Sequence, residues 1–257
     1  KLCDSYGVEK VYAYATNAVR RAKNQKSFIE EINTVCGFKV KVLSEEEEAM
    51  HVYHGVINSL DIPKAVILDI SGSSIQLIQY NRRNVLNREN LPFGTITLCD
   101  LFADPSLPPE EQAAQMEQYV TDQLSRIPWL KEIDPDVQFV GVGGSFRSLA
   151  KIVRRIKRYP LDMLHNYPVT KEDLDNVYDM VKTLPPEKRS KIKGLSSDRA
   201  DIFVSALAAI KAFFNATSFE QVTVSGSGIR EGIMFAHAVP STVEKPITDV
   251  LGHSVGT

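Results

Sequence analysis

Residues 65–74, AVILDISGSS, are the stretch that most directly predicts the fold of this chain. Its apolar, β-branched first half is typical of a buried strand, and this strand ends in an acid followed by small residues. Glycine and serine allow a tight turn whose backbone N–H groups can converge on an anion. The carboxylate of Asp69 would then lie beside bound phosphate, where a metal ion or a proton makes its charge tolerable. The stretch therefore indicates the local chemistry of metal-assisted phosphoryl transfer.

The same residues also fit an ordinary hairpin turn. A second strand-like run follows at residues 75–80, and a third follows at residues 85–91 after another turn. Taken by itself the stretch favours the plain turn, so the rest of the chain has to decide between the two interpretations.

The composition is that of an ordinary soluble globular protein. Of 257 residues, 43% are hydrophobic and 24% are charged, and the net charge is −2. A chain of this length can form one large domain or two lobes. The charge balance provides no general basic field, so we expect no nucleic-acid partner.

The cysteines and the hydropathy pattern bear on the cellular compartment. Cys3, Cys36 and Cys99 are widely separated and odd in number, which favours a reducing compartment, and we therefore expect a cytoplasmic protein. Their spacing fits no metal site. No run approaches the length of a membrane span and nothing resembles a signal peptide, so we expect no membrane partner. Because the chain begins at Lys1 without an initiator methionine, we expect a fragment of a longer protein.

Strand and helix patterns alternate along the chain, which predicts an α/β fold. Strands are predicted at residues 11–15, 38–43, 65–70, 75–80, 85–91, 138–142 and 221–224, with helices after most of the turns and over residues 171–184 and 199–214. Ser27 and Glu30 fit the capping box of one helix, and Gly37 is its predicted end. A break at residues 61–64 marks the predicted boundary between a first lobe, residues 1–62, and a second lobe, residues 63–257.

Four consecutive glutamates, residues 45–48, begin another predicted helix. Ser44 and Glu47 fit a capping box at its start. Helical spacing places Glu45 within the apolar face and Glu48 at the edge of that face, pointing along an interior wall. Glu48 is therefore a candidate general base, although a run of this kind is more often a solvated helix start.

Two segments of the chain share one sequence pattern. Residues 11–20 and residues 139–147 each combine a strand, a small-residue turn and a helix with an early arginine, Arg20 or Arg147. Two such units facing each other would form a cleft. Arg20 would then hold phosphate oxygens with its planar fork, or else form a surface ion pair. The turn at residues 143–145 has the geometry of an anion site, although many such turns bind nothing.

Several segments, taken together, resemble the exopolyphosphatase and guanosine pentaphosphate phosphohydrolase (Ppx/GppA) family. The matching segments, in family order, are residues 15–24, 44–49, 69–77, 91–94, 141–150, 164–167, 194–201 and 225–232, the last with the sequence SGSGIREG. The family belongs to the actin, Hsp70 and sugar-kinase fold group. The resemblance thus implies an α/β, two-lobed actin-like (ribonuclease H-like) fold with duplicated strand–helix units.

The resemblance also implies a function and a set of site residues. Glu48 is expected to activate water, and Asp69 is expected to work with Mg²⁺. The expected phosphate contacts are Thr16, Arg20, Gly72, Ser73, Ser74, Gly143, Gly144 and Ser145. The implied reaction is release of terminal phosphate from inorganic polyphosphate. Hydrolysis of guanosine pentaphosphate, or binding of (p)ppGpp or polyphosphate without turnover, is the alternative, and a homodimer is allowed.

Three departures from the family pattern matter. Ser71 and Ser73 stand where the family loop has glycine, which would restrict the backbone if those positions need a positive φ. Gln76 stands at the position of a metal-associated glutamate, so the predicted metal site consists of Asp69 and Gln76 and should bind Mg²⁺ more weakly. The family's opening segment is not found before Lys1. We therefore expect a first lobe without its opening strands and a weakened activity.

Overall fold

The computed structural model describes residues 2–238, which form eight strands and eleven α-helices. The strands are β1 (Ala13–Ala15), β2 (Val40–Val42), β3 (Lys64–Ile70), β4 (Ile75–Asn81), β5 (Asn84–Leu91), β6 (Gln138–Val142), β7 (Tyr167–Thr170) and β8 (Gln221–Val224). The helices are α1 (Leu2–Ser5), α2 (Asn17–Arg20), α3 (Gln25–Cys36), α4 (Glu45–Ile57), α5 (Thr95–Phe102), α6 (Pro109–Leu124), α7 (Gly144–Ile156), α8 (Lys171–Lys182), α9 (Pro186–Arg189), α10 (Phe203–Ala216) and α11 (Ile229–Ala238). Two short 3₁₀ helices span Pro128–Glu132 and Ser197–Arg199.

A six-stranded sheet with the order β5-β4-β3-β6-β8-β7 organises most of the molecule. β3 is antiparallel to β4 and parallel to β6, and β6 is in turn parallel to β8. The carboxyl ends of β3, β6 and β8 therefore lie along one edge of the sheet, where open α/β sheets place their ligands. A separate parallel pair, β1 and β2, precedes this sheet in the chain.

The continuous apolar sequence of β3 reflects burial on both faces of the sheet. Val66 and Leu68 belong to the larger core, which also contains buried residues of α6, α7 and α10. Ala65 and Ile67 belong to a second core that α4 covers. Because successive side chains of a strand point to opposite faces, one short run supplies both cores. This confirms the predicted mixed α/β architecture.

Most of the predicted local structure is confirmed. The capping box of Ser44 and Glu47 starts α4, and Gly37 ends α3 in the left-handed conformation, with φ of 71°. The predicted start of α3 at Ser27 is wrong, because the helix begins at Gln25 and the Ser27 hydroxyl donates to the carbonyl of Asn24. The helix predicted from residue 199 begins only at Phe203.

The edge strand β7, which is antiparallel to β8, was not predicted from the sequence. It is four residues long and contains Pro168, which weakens the sequence signal of a strand. An edge position tolerates proline because one side of the strand needs no hydrogen-bond partner.

The division of the chain into residues 1–62 and 63–257 stays a prediction. α4 lies before the boundary in sequence, yet it packs on the six-stranded sheet and against α11. Residues 239–257 of the predicted second lobe lie outside the described residues. Within residues 2–238, no helix is both long enough and apolar enough to cross a membrane.

Candidate active site

A cleft of about 490 Å³ lies between the β1–α2 region and the loop that joins β3 to β4. Its lining consists of Asn17, Arg20, Arg21, Ser44, Glu45, Ser73, Ser74, Asn90 and Pro92. Arg20 and Arg21 therefore face the same space as the two loop serines, Ser73 and Ser74. This is a suitable environment for an anion, because guanidinium groups and hydroxyls both donate hydrogen bonds to phosphate oxygens.

The N-terminus of α5 holds the β3–β4 loop, residues 71–74, in place. The amide of Thr95 donates to the carbonyl of Ser71 at 3.0 Å, and the amide of Ile96 donates to the carbonyl of Gly72 at 2.8 Å. Gly94 makes this approach possible, because a Cβ atom there would lie 2.3 Å from the Ser71 carbonyl oxygen. The loop carbonyls are therefore held by the first amides of α5, which would otherwise lack hydrogen-bond partners.

The serines of the loop do not strain its backbone. No residue among 71–74 has a positive φ, so the predicted restriction by Ser71 and Ser73 does not arise. Their hydroxyls form hydrogen bonds instead. Ser71 Oγ accepts from the amide of Ser74 at 3.1 Å, and Asn17 Nδ2 donates to Ser73 Oγ from the opposite wall of the cleft.

Arg20, which lines the cleft, forms an ion pair with Glu48, which is not part of the lining. Nη1 of Arg20 lies 3.1 Å from Oε2 of Glu48 and donates to the carbonyl of Leu43 at 2.7 Å. Glu48 is only 7% exposed, which confirms its predicted place at the inner edge of α4. Glu45 is exposed, so its predicted place in the apolar face is wrong. Glu45 lines the cleft instead, and its Oε1 lies 3.7 Å from Nη2 of Arg20.

Glu47, the neighbour of Glu48, has a structural role. Its Oε2 accepts from the amide of Ser44 at 2.9 Å, and its Oε1 lies 2.6 Å from Nζ of Lys41. The hydrogen bond from Lys41, and then that from Ser44, lower the pKa of Glu47. The two adjacent glutamates therefore have separate environments.

Asp69 lies at the end of β3, close to the β6–α7 turn. A Cβ atom at Gly143 would lie 3.2 Å from Oδ1 of Asp69. Withdrawal of this carboxyl from water, and then the charge of Glu48, raise the pKa of Asp69 to about 7, while Arg147 acts in the opposite direction. The structure thus brings the two predicted acids into electrostatic contact, although 20 residues separate them in the sequence.

Gln76 is the cross-strand partner of Asp69, so the two side chains leave the same face of the sheet. Gln76 is 3% exposed, and its Oε1 has no hydrogen-bond partner among the described residues. An unsatisfied amide oxygen beside a carboxylate fits the oxygen ligands that Mg²⁺ takes. Residues 2–238 contain no group of three acidic, histidine or cysteine side chains that could hold a metal ion. A magnesium ion here would therefore depend on water and phosphate for its other ligands.

Three arginines border the turn at Gly143 and Gly144. Gly143 has φ of 104°, which favours glycine, and a Cβ atom at Gly144 would lie 2.2 Å from the guanidinium carbon of Arg199. Burial, and then the charges of Arg230 and Arg199, lower the pKa of Arg147. The predicted anion turn therefore lies in a basic environment.

Only some of the predicted phosphate contacts line the cleft. Thr16 is the residue before α2, but its side chain does not cap the helix and it is not part of the cleft lining. Ser145 is 3% exposed within the first turn of α7. Arg20, Ser73 and Ser74 line the cleft, whereas Gly72 and the β6–α7 turn are not part of its lining. The functional roles of all these residues stay predictions.

Several polar residues of the site were not predicted from the sequence. Asn17 lines the cleft and bonds to the loop, and Asn90 donates to Oε2 of Glu45 at 2.8 Å. Arg147 and Arg230 carry the signal of an early arginine after a strand and a turn, which could have included them. Arg199 follows no such pattern, because it reaches the site from a 3₁₀ helix.

Comparison with known proteins extends over the whole site. A model of the Ppx/GppA phosphatase family matches residues 1–239. The crystal structure of the Aquifex aeolicus member of that family is 28% identical to this chain, covers 92% of it with 76% of its own length, and has a TM-score of 0.78. The crystal structure of an exopolyphosphatase from Cytophaga hutchinsonii is 25% identical, with coverages of 91% and 77% and a TM-score of 0.82. These similarities confirm the predicted family resemblance and the two-lobed, actin-like fold.

Proposed function

This chain belongs to the Ppx/GppA phosphatase family, and we propose that it releases terminal phosphate from inorganic polyphosphate. The observation that carries this proposal is the position of two acids, Glu48 and Asp69, between two basic surfaces. Arg20 and Arg21 line the cleft on one side, and Arg147 belongs to the arginine cluster near the β6–α7 turn. A polyanion of several phosphates can contact both surfaces at once. The similar Cytophaga protein is described as an exopolyphosphatase, which supports this choice.

In the proposed reaction Glu48 acts as the general base. It accepts a proton from water while the water oxygen attacks the terminal phosphorus. The bond between that phosphorus and the bridging oxygen breaks, so orthophosphate leaves together with a chain that is shorter by one phosphate. The ion pair with Arg20 orients the Glu48 carboxylate, and the burial of Glu48 limits its contact with bulk water.

We propose that Asp69 and Gln76 hold Mg²⁺ together with water and phosphate oxygens. The unsatisfied Oε1 of Gln76 and the raised pKa of Asp69 both support a cation at this place. When bound, the ion would neutralise negative charge on the reacting phosphoryl group. With one carboxylate in the ligand set, we expect weak affinity for the ion.

The lining of the cleft favours polyphosphate over guanosine pentaphosphate. None of its nine described residues is aromatic, so it offers no ring on which a guanine base could stack. A different observation favours a binding module without turnover. Gln76 is uncharged at the position where a second carboxylate would strengthen metal binding.

Phosphate release from the full chain in the presence of Mg²⁺ tests the proposal, with long-chain polyphosphate, tripolyphosphate and guanosine pentaphosphate as substrates. We expect release from the two polyphosphates. Glu48→Gln should reduce the rate at least about 100-fold with little change in melting temperature, because the change removes basicity and keeps the shape. The matched control is Glu47→Gln, which should weaken the start of α4 and keep most of the activity.

Three results would contradict the proposal. Release from guanosine pentaphosphate alone would establish the alternative substrate. Binding of all three compounds without release would establish a binding module. Equal loss of activity in the two glutamate variants would show that Glu48 is not the base.

A further inference from the structure

The hydroxyl of Ser71 occupies a position in the β3–β4 loop where a ligand oxygen could bind. Oγ of Ser71 accepts hydrogen bonds from the amide of Ser74 at 3.1 Å and from the amide of Ser73 at 3.4 Å. It also lies 3.0 Å from the carbonyl oxygen of Ser74 and 3.0 Å from the hydroxyl of the same residue. One hydroxyl therefore accepts from two of the loop amides that could otherwise bind an anion.

The hydrogen-bonding capacity of Ser71 is fully used by the loop itself. A serine hydroxyl has one proton to donate and two lone pairs that accept. The proton goes to the carbonyl or the hydroxyl of Ser74, which are equally close, and the lone pairs accept from the two amides. A phosphate oxygen that binds these amides must therefore displace Ser71 Oγ first.

Ser73 is held from the opposite wall of the cleft. Its hydroxyl accepts from Nδ2 of Asn17, a residue that is 7% exposed and belongs to the first 62 residues of the chain. The loop therefore has two kinds of hydrogen bond: Ser71 bonds to residues of the loop itself, and Asn17 bonds to Ser73 from across the cleft. Both contacts require a hydroxyl, which glycine at either position would not supply.

We propose that Ser71 sets the affinity of this loop for phosphate by competing with the ligand for the amides of Ser73 and Ser74. This inference deepens the proposed function and rests on it. The exchange replaces an internal hydroxyl by a phosphate oxygen, so part of the binding free energy compensates for the hydrogen bonds that are lost. The expected consequence is weak retention of orthophosphate, the product of the proposed reaction.

The test uses the full chain and the variant Ser71→Ala, which removes only the hydroxyl, because the backbone at this position is compatible with alanine. Hydrogen exchange of the Ser73 and Ser74 amides is measured without ligand, and binding of tripolyphosphate and of orthophosphate is measured by calorimetry. We expect faster exchange at both amides and a dissociation constant lowered by about five- to tenfold, the value of roughly one hydrogen bond. If the chain turns over polyphosphate, KM should fall while kcat changes little, and inhibition by orthophosphate should increase.

Two variants control the experiment. Ser71→Thr retains the hydroxyl and should restore the affinity of the original chain. Ser225→Ala removes a serine with a similar hydrogen bond to its own turn, about 10 Å away by the spacing of two strands. It should leave phosphate affinity unchanged.

Unchanged or weakened binding in Ser71→Ala would overturn the inference, as would failure of Ser71→Thr to restore the original affinity in a folded protein. Hydrogen exchange and binding can be measured without turnover, so these results do not depend on the proposed catalytic function. If only the proposed function fails, no substrate releases phosphate, but the affinity change in Ser71→Ala is still observed.

Discussion

Two serine-containing turns lie at the same edge of the sheet, residues 71–74 after β3 and residues 225–228 after β8. Each begins with the sequence Ser-Gly-Ser, and in each the first hydroxyl accepts from the amide two residues later. The distances are 3.4 Å between Ser73 N and Ser71 Oγ, and 3.1 Å between Ser227 N and Ser225 Oγ. Their local chemistry is therefore nearly the same.

The two turns differ in what satisfies the remaining amides. In the second turn, the amide of Gly226 donates to Nδ1 of His165 at 3.0 Å, and the amide of Gly228 donates to Oε2 of Glu231 at 2.8 Å. Ser225 is fully buried, and a carboxylate of the protein already occupies this turn. In the first turn, the corresponding acceptor is the neutral hydroxyl of Ser71, beside an open cleft. The comparison shows that a turn of this kind becomes structural or available to a ligand according to its surroundings.

The largest expected effect comes from breaking the support of the first turn. Gly94→Ala places a Cβ atom 2.3 Å from the Ser71 carbonyl oxygen, which is backbone and cannot move away without displacing the loop. We expect the free energy of unfolding to fall by about 2–4 kcal/mol. Gly72→Ala is the control, because its Cβ would meet only the end of the Ile96 side chain at 2.9 Å and should cost less than about 1 kcal/mol. Denaturant unfolding of both variants decides, and equal losses would show that Gly94 does not support the loop.

A smaller effect is expected from changing the surroundings of the first turn. Gln76→Glu adds a carboxylate beside Asp69, which should lower the melting temperature without metal and raise Mg²⁺ affinity by about tenfold. The measurement is melting temperature against magnesium concentration, together with phosphate release at low magnesium. Gln79→Glu makes the same change at a buried position of the same strand but on the other face, so it should lose stability without a magnesium response. An identical response of the two variants would place the metal elsewhere.

The smallest effect is expected from removing the carboxylate that accepts a hydrogen bond in the second turn. Glu231→Ala removes the acceptor of the Gly228 amide and should reduce the free energy of unfolding by about 1 kcal/mol. Glu111→Ala is a matched control. Glu111 is the third residue of α6, as Glu231 is of α11, but the N-cap residue of α6 is Pro108, which has no N–H to donate. If the two variants lose equal stability, the Gly228 contact contributes nothing beyond the interaction of an acid with the helix dipole.

The sequence was sufficient for features that depend on neighbouring residues. The capping box of Ser44 and Glu47 closes through hydrogen bonds three residues apart, and the left-handed Gly37 ends its helix because glycine carries no Cβ penalty there. The apolar run of residues 65–70 likewise predicts the buried strand β3, because its signal lies in consecutive residues. The loop of residues 71–74 could therefore be located without coordinates.

The contacts that define the site were decided only by the tertiary structure. Arg199 reaches Gly144 across the fold, and Asn17 reaches Ser73 from α2, so no sequence spacing signals either contact. Glu45 belongs to the apolar face by helical periodicity but lines the cleft, where Arg20 of α2 and Asn90 of β5 contact its carboxylate. Periodicity and capping describe each element by itself. The charge around a carboxylate and the partner of an amide depend on which elements meet, and long-range packing alone determines that.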